Sequence, residues 1–503
     1  MSWPNAFVAA LGGATVRLRW RVRAVSSLLA PTAAADVTAN GAAGGLTERV
    51  YVGGDGVEVV TWAPTFGGWR ADLAGPDPGF MTLWHRGILL QLQISVDGAS
   101  WYEAALGVLQ NVSQTSRTTW TVTVAGLGAM VASRADSTAS TYGLFDGIED
   151  VSTALTVNYT AGDTTITVTD TTDFERETGG SYMIRLDTGS GTYFYLTATG
   201  KTATTFTGVS ATGKLGTTAV NMTAGACTVT PVAYIEGHPL DCARKVMLST
   251  GTGANGVYDT LPASWGLAFP DSVFDHPDTS RTRAVMQTAS ATPYVQAWTA
   301  EAGQNDPMGW ISAWLQPLAA WPAIRQGLIT FRAAQLPTLA SAYTPPMPLD
   351  DRMIAAATMD WYFDSQPVEF YTTRVRADST YQGTSDSAPR TRPARGFFDT
   401  DLPGFYSDLC TPSDIESEVL RRTAYWPTRL AEHYRVVCAG LQAWALTPGD
   451  LVSLTTQLVT RRPRLLGGGH DVIGYLGLVL TVQPDLQSGT VALDVACLPE
   501  APD

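Results

Sequence analysis

Apolar and polar residues alternate with a period of two along several stretches of this chain. Val16, Leu18, Trp20 and Val22 are interleaved with Arg17, Arg19, Arg21 and Arg23. Leu90, Leu92, Ile94 and Val96 repeat the pattern and stop at Asp97-Gly98, a hairpin turn signal. Trp120, Val122 and Val124 alternate again. Such alternation sends successive side chains to opposite faces and predicts strands with one buried face. The N-terminal segment is therefore predicted to be β. From Tyr434 the chain is predicted to be β again, over 436–444, 451–454, 476–482 and 491–495, with turns at Pro448-Gly449-Asp450 and at Gly489.

Between these regions the composition shifts. Residues 153–230 are dense in Thr and Gly, with short strands predicted at 165–169, 182–186 and 193–197. All three lysines, Lys201, Lys214 and Lys245, fall here or just after. No Trp occurs between Trp120 and Trp265, although the chain carries 15. The contrast predicts a small β module inserted into a Trp- and Arg-rich host. Three helices are expected. One spans 239–249, with Pro239 at a first helical position and Gly251 as its stop. A second lies within 306–320, with Ile311, Trp314, Leu315 and Leu318 on one face and Pro317 as a kink. The third opens at the capping box Ser413-Asp-Ile-Glu416 and runs to about Thr423. Pro345-Pro-Met-Pro348 reads as a linker and residues 385–395 as a mobile loop.

The expected fold class is mainly β with a few helices, and multidomain. A 503-residue chain holds roughly three to five domains. The expected divisions are 1–150 (β-barrel), 151–232 (inserted module), 233–345 (α+β) and 346–503 (β-barrel). Charged residues are 16%, and Thr, Ser, Gly and Gln supply the remaining polarity. The net charge of −14 disfavours nucleic-acid binding and anionic membranes, which need a positive field. No run of about 20 apolar residues exists to span a bilayer, and the N-terminus lacks the pattern of a signal peptide. The five cysteines (Cys227, Cys242, Cys410, Cys438, Cys497) form no C-x-x-C pair, so neither a disulfide framework nor a zinc site is expected. Synthesis in a reducing cytoplasm is the corresponding expectation.

Few motifs carry chemistry. Gly251-Thr-Gly-Ala-Asn-Gly256 matches G-x-G-x-x-G but follows a helix instead of a strand, and reads as a helix-stop loop. Gly467-Gly-Gly-His470 lacks the Gly-Lys-Ser/Thr of a phosphate loop. The five histidines (His85, His238, His276, His433, His470) show no ligand spacing and read as turn or core residues, His276 as a plain turn. Asp399/Asp401 and Asp350/Asp351 are the carboxylate pairs that a glycosidase would need, by proximity alone. No catalytic, metal or cofactor residue is assigned. The row Arg17, Arg19, Arg21, Arg23 is solvated, paired within the chain, or buried against an acidic partner. Arg461, Arg462 and Arg464 form a second basic patch on a loop, solvated or in contact with a partner. Both sets are candidate subunit-interface residues. The tryptophans suit core or interface packing, and alternatively an aromatic sugar platform.

Four stretches together resemble the baseplate hub, or tail-tip, proteins of long-tailed bacteriophages and related gene transfer agents. They are Trp62-Ala-Pro…Gly68-Trp69 with Gln91-Leu-Gln-Ile-Ser-Val-Asp-Gly98 and Gly107-Val-Leu-Gln-Asn111; Tyr159-Thr-Ala-Gly-Asp163 through Phe174, with Leu215-Gly-Thr-Thr-Ala219; Gly237-His-Pro-Leu-Asp241 through Trp265-Gly-Leu267; and Leu446-Thr-Pro-Gly-Asp-Leu-Val-Ser-Leu-Thr455 with Gly489-Thr-Val-Ala-Leu493. The resemblance implies a non-enzymatic structural protein of the virion. It implies a homotrimer with two related barrels per chain, so that three chains meet a sixfold tail. Its implied partners are the distal-tail ring, the tape-measure C-terminus and a central fibre or spike, with DNA passing through unbound. The iron–sulfur cluster of some members is not implied, because the cysteines do not match. The open alternatives are a carbohydrate-binding or glycan-hydrolysing tail protein and a receptor-binding module without a ring.

Overall fold

The computed structural model describes residues 3–13, 18–27, 49–51, 57–60, 68–74, 88–114, 119–126, 129, 143–251, 258–288, 295–315, 318, 320–333, 347–361, 371–376, 382–386, 396–401, 432–460, 471–485 and 488–497. The chain is mainly β. It opens, against expectation, on a short helix, α1 (Asn5–Leu11). Phe7 and Leu11, one turn apart, bury one face of it, and Trp3 packs edge-on against Phe7. Strands β1 (Leu18–Ser27), β2 (Arg49–Tyr51), β3 (Val57–Val60), β4 (Gly68–Ala74), β5 (Ile88–Ser95), β6 (Tyr102–Gln114) and β7 (Thr119–Ala125) follow. They pair in the order β2-β1-β5-β6-β7-β4-β3. The alternation holds: Leu18, Trp20 and Val22 are fully buried, and Arg19 and Arg21 between them are half-exposed.

The Thr/Gly-rich segment contributes β8 (Thr153–Ala154), β9 (Thr165–Thr167), β10 (Tyr182–Asp187), β11 (Tyr193–Lys201), β12 (Thr205–Val209) and β13 (Thr228–Gly237). Tyr159, Phe174, Phe194, Phe206 and Ile184 fill a core of their own. Strand β13 links this sheet to the next segment. Its first half pairs with β10 and its second half with β14 (Gln296–Ala300). Helix α2 (Pro239–Leu248) starts as expected: Pro239 holds the first helical position, and the amide of Leu240 donates to His238 Nδ1 (3.2 Å). His276 is no plain turn, because it opens helix α3 (His276–Thr288). The Asp278 amide donates to Asp275 Oδ1 (3.1 Å), an N-terminal cap that the apparent turn residues conceal. Helix α4 (Pro307–Leu315) lies within the expected range. The hairpin β15 (Ala320–Arg325) and β16 (Leu328–Ala333) turns at Gln326-Gly327, both with positive φ. A second core, including Val246, Met247, Trp298, Ile311 and Phe331, binds these helices and the hairpin to one face of β5 and β6 through Leu89, Leu106 and Val108.

The last region holds β17 (Met347–Leu349), β18 (Ile354–Trp361), β19 (Tyr371–Arg376), β20 (Gln382–Asp386), β21 (Gly396–Asp401), β22 (Glu432–Ala439), β23 (Leu451–Thr460), β24 (Asp471–Asp485) and β25 (Thr490–Cys497). Met347 and Pro348, read as linker, lie in a strand parallel to β23. The ladder runs β18-β22-β25-β24-β23-β17, and the Asp350–Met353 turn joins its two ends. Strands β19–β21 form a separate three-stranded sheet, and β20 takes Ser385 and Asp386 from the expected mobile loop. The expected helix from Ser413 and the rest of the 385–395 loop lie outside the described residues.

One pair, Asp485 opposite Glu58, joins the N- and C-terminal strands into a single 13-stranded sheet. Both ends also share a core. Trp20, Trp69 and Val124 belong to the same cluster as Tyr434, Val436 and Val495. Helix α1 sits at this junction, where the Leu441 amide donates to the Leu11 carbonyl (3.0 Å) and Trp3 packs edge-on against Trp444.

Candidate functional site

The two ends of the sheet contain the same four-stranded ladder twice. In the first copy β4, β5, β6 and β7 lie in the order β4-β7-β6-β5, and in the second β22, β23, β24 and β25 lie in the order β22-β25-β24-β23. All of these pairs are antiparallel, with the first strand beside the last, a Greek key. The likeness extends to register. Val108, Leu109, Asn111 and Val112 face Ala125, Val124, Thr123 and Val122. Leu478, Val479, Thr481 and Val482 face Ala496, Val495, Asp494 and Leu493. Each long strand carries a bulge at the same place, Gln110 in one copy and Leu480 in the other.

The outer pairings agree as well. Trp69 faces Val124 and Arg70 faces Thr123; Tyr434 faces Val495 and Arg435 faces Asp494. Leu89, Leu90, Gln91 and Leu92 face Val108, Gly107, Leu106 and Ala105. Leu451, Val452, Ser453 and Leu454 face Leu478, Gly477, Leu476 and Tyr475. Both ladders shift register directly after Leu92 and Leu454. A single displaced residue would turn every inward side chain outward, so agreement through two bulges reflects one pattern used twice. The sequence holds a faint trace of it: Leu106-Gly107-Val108-Leu109…Val112 against Leu476-Gly477-Leu478-Val479…Val482.

A wedge from the middle segment touches both copies. At the tip of the β15–β16 hairpin, Gln326 Oε1 accepts from the Trp3 amide (2.9 Å), and Gln326 Nε2 donates to the Ala445 carbonyl (3.2 Å). The Gly327 carbonyl accepts from Gln91 of the first copy (3.4 Å). At the foot of the hairpin, Arg332 lies between Asp278 (Nε to Oδ2, 2.7 Å) and Asp450 (Nη1 to Oδ1, 2.7 Å). Asp450 belongs to the turn before β23, where its carbonyl accepts from the Val479 amide (2.9 Å). Asp278 is fully buried; Thr330 Oγ1 donates to it (2.8 Å), and Arg325 and Arg281 flank it. Burial alone would raise its pKa, but the guanidinium groups of Arg332, Arg325 and Arg281 outweigh burial and hold it below the ordinary value. Nothing in the local pattern marked Gln326, Asp278 or Arg332, because their partners are far along the chain.

The arginine row divides. Arg21 Nε donates to Gln93 Oε1 (2.8 Å), and its guanidinium lies 4.4 Å from the Trp101 ring centroid, a cation–π contact. Arg19 packs on the Asp97-Gly98 turn so closely that a Cβ on Gly98 would meet its Nη1 at 1.9 Å. Arg23 stands opposite Gln91 in the ladder. Arg17, Arg461, Arg462 and Arg464 lie outside the described residues.

The remaining candidates take up structural positions. Asp399 and Asp401 stand opposite Arg374 and Arg376 in parallel register. Asp350 is paired with Arg352 (2.5 Å), and Asp351 accepts from Thr456 Oγ1 (2.5 Å). At the start of the glycine-rich loop, the amides of Thr250 and Gly251 donate to the Asp259 carboxylate (2.7 and 2.6 Å), where a nucleotide motif would present amides to phosphate. His276 is held by Asp271 (2.7 Å) and stacks on Tyr258. Among the described residues no cluster of His, Cys, Asp and Glu has the arrangement of a metal site. No helix among them is long and apolar enough to cross a membrane.

No family model matches the sequence, and no curated protein matches it. Three solved structures are similar over nearly the whole of both chains. The tail protein from Neisseria meningitidis MC58 shares 9% identity over 95% of this chain and 96% of its own, with a TM-score of 0.37. The 43 kDa tail protein of prophage MuSo2 from Shewanella oneidensis shares 9% over 96% and 99%, with a TM-score of 0.37. Prophage tail protein gp18 from Listeria monocytogenes shares 8% over 96% and 95%, again at 0.37.

Proposed function

We propose that this chain is a structural, non-enzymatic hub at the tip of a phage tail. Three copies form a ring that joins the tail tube to a tip fibre or spike. The observation that carries this reading is the repeated ladder, matched residue for residue through its bulges. A threefold assembly meets a sixfold tube on equal terms only if each chain offers two equivalent surfaces. One copy of the ladder in each half of the sheet supports this reading.

The partners would be the distal-tail ring, the C-terminus of the tape-measure protein and the central fibre or spike. DNA would pass through the ring without specific binding, and the net charge of −14 suits a wall that repels phosphates. The protein would be made in the host cytoplasm and end in the virion. Arg17, Arg23, Arg461, Arg462 and Arg464 are assigned to contacts between copies. Arg19 and Arg21 are weaker candidates, because Gln93, Trp101 and the Asp97-Gly98 turn already engage them. The module around β8–β13 would decorate the rim.

Mass photometry of the purified chain tests the proposal directly. The expected species has three times the 53.5 kDa chain mass, and electron images of it show a threefold ring. A monomer at every accessible concentration, with no ring in virion images, would refute it.

A further inference from the structure

The Thr/Gly-rich module closes on itself. Its strands run β13-β10-β11-β12-β9, β8 pairs with β13, and Leu155, directly after β8, bridges Val168, directly after β9. The result is a small barrel with its own core, continued into the middle segment by β13 alone. A module with its own core moves against its host by default, unless further contacts hold it.

The connection from β9 to β10 supplies such contacts. Lys201, at the end of β11, donates to three backbone carbonyls of this connection, those of Thr171 (2.6 Å), Thr172 (2.9 Å) and Phe174 (2.8 Å). An ammonium has three donors on one point charge, which suits a tripod of carbonyls better than a planar guanidinium does. Arg176 Nη1 donates to the carbonyls of Gly180 (2.8 Å) and Thr199 (2.6 Å), so a second cation ties the same connection to the barrel. The acids between these anchors reach the middle segment. Glu177 pairs with Lys245 of α2 (2.5 Å) and accepts from Thr260 Oγ1 (2.9 Å). The Thr178 amide donates to the Thr260 carbonyl (2.7 Å), and Ser264 Oγ donates to Glu175 (3.2 Å). Two of the three lysines in the chain thus hold the two ends of one connection.

The barrel is held at a second place. Arg185 of β10 pairs with Glu301, just beyond β14 (2.7 Å), and the Tyr195 hydroxyl of β11 donates to the same carboxylate. Met183 and Leu215 of the module also pack with Tyr234 of β13 and Ala297 of β14.

We infer that residues 170–178 are a strap that locks the module to helix α2 and the segment after it, with the Glu177–Lys245 pair as its fastening. Together with Glu301 it prevents the barrel from turning about β13, so the module projects at one fixed angle. The inference does not depend on the hub reading.

Pulsed electron spin resonance tests it on the full chain. Spin labels go on Ser190→Cys, in the exposed β10–β11 turn, and on Asn305→Cys, exposed on the middle segment, with Cys410→Ser and Cys497→Ser as background. Dilution with unlabelled chain restricts the signal to distances within one copy. The otherwise wild-type chain is expected to give one narrow distance. Glu177→Lys should widen the distribution by about twofold or more, because like charges then face each other at the fastening. Adding Lys245→Glu restores opposite charges and should restore the narrow width. Hydrogen exchange across β10, β11 and β12 reads whether the barrel itself stays folded. If Glu177→Lys exposes those strands, Glu177→Gln replaces it, with the same widening required. A broad distribution in the chain with Glu177 intact overturns the inference. So does an unchanged width in the Glu177 variant with a folded barrel, or a charge swap that leaves the distribution broad.

Discussion

Trp69 and Tyr434 occupy the same place in two ladders. Each is a buried aromatic on the strand that closes its Greek key, and each faces a buried valine, Val124 or Val495. Both lie in the core shared by the two ends of the chain. Truncating either to Ala should cost about 3–5 kcal/mol, the usual loss for a buried aromatic. Chemical denaturation should show similar losses for Trp69→Ala and Tyr434→Ala in the same transition, because both side chains belong to one core.

Gly107 has no room for a side chain. A Cβ there would lie 2.2 Å from the Ala125 carbonyl oxygen and 2.6 Å from Val124 Cγ1. Gly107→Ala should therefore destabilise by about 1–3 kcal/mol through overpacking. The melting temperature reads this, and an unchanged value would mean that the Val124–Ala125 backbone opposite can move away.

The Asp278 carboxylate gives the fold an acid limit. Its folded pKa is below its unfolded value near about 3.9. The stabilisation is therefore complete above the unfolded value and is lost as pH falls through the folded one. Asp278→Asn leaves Arg332 and Arg325 buried against a neutral group and should cost about 3–5 kcal/mol near neutral pH. Unfolding curves from pH 7 downward should fall less steeply for the variant than for the wild type.

Gln326 tests the wedge. Gln326→Ala removes the acceptor of the Trp3 amide and the donor to the Ala445 carbonyl, at a cost of about 1–3 kcal/mol. Limited proteolysis should then cut within residues 3–13 sooner than in the wild type, since that amide is a tie between the N-terminal segment and the hairpin.

Three of the five thiols, those of Cys227, Cys242 and Cys438, should be silent in the native state. Burial pushes the Cys438 thiol up to about 12 and raises those of Cys242 and Cys227 as well. Only thiolate reacts, so iodoacetamide at pH 8 should leave all three unlabelled until denaturant is added. Peptide mass spectrometry reads each site separately.

The amino-acid sequence by itself determined the local elements. Alternation at Leu90, Leu92 and Ile94 sufficed for a strand, Asp97-Gly98 for its turn, and Pro239 for the start of a helix, because each depends on neighbours a few residues away. Helix α3 escaped because His276-Pro277-Asp278 carries turn residues that also serve a helix start. The repeated ladder, the wedge at Gln326 and the ion cluster around Asp278 were decided by tertiary structure alone. Register is a relation between strands, and Leu109 opposite Val124 or Val479 opposite Val495 becomes meaningful only once the strands are paired. Asp278 and Asp450 are ordinary acids in the sequence; contact with the buried Arg332 is what distinguishes them.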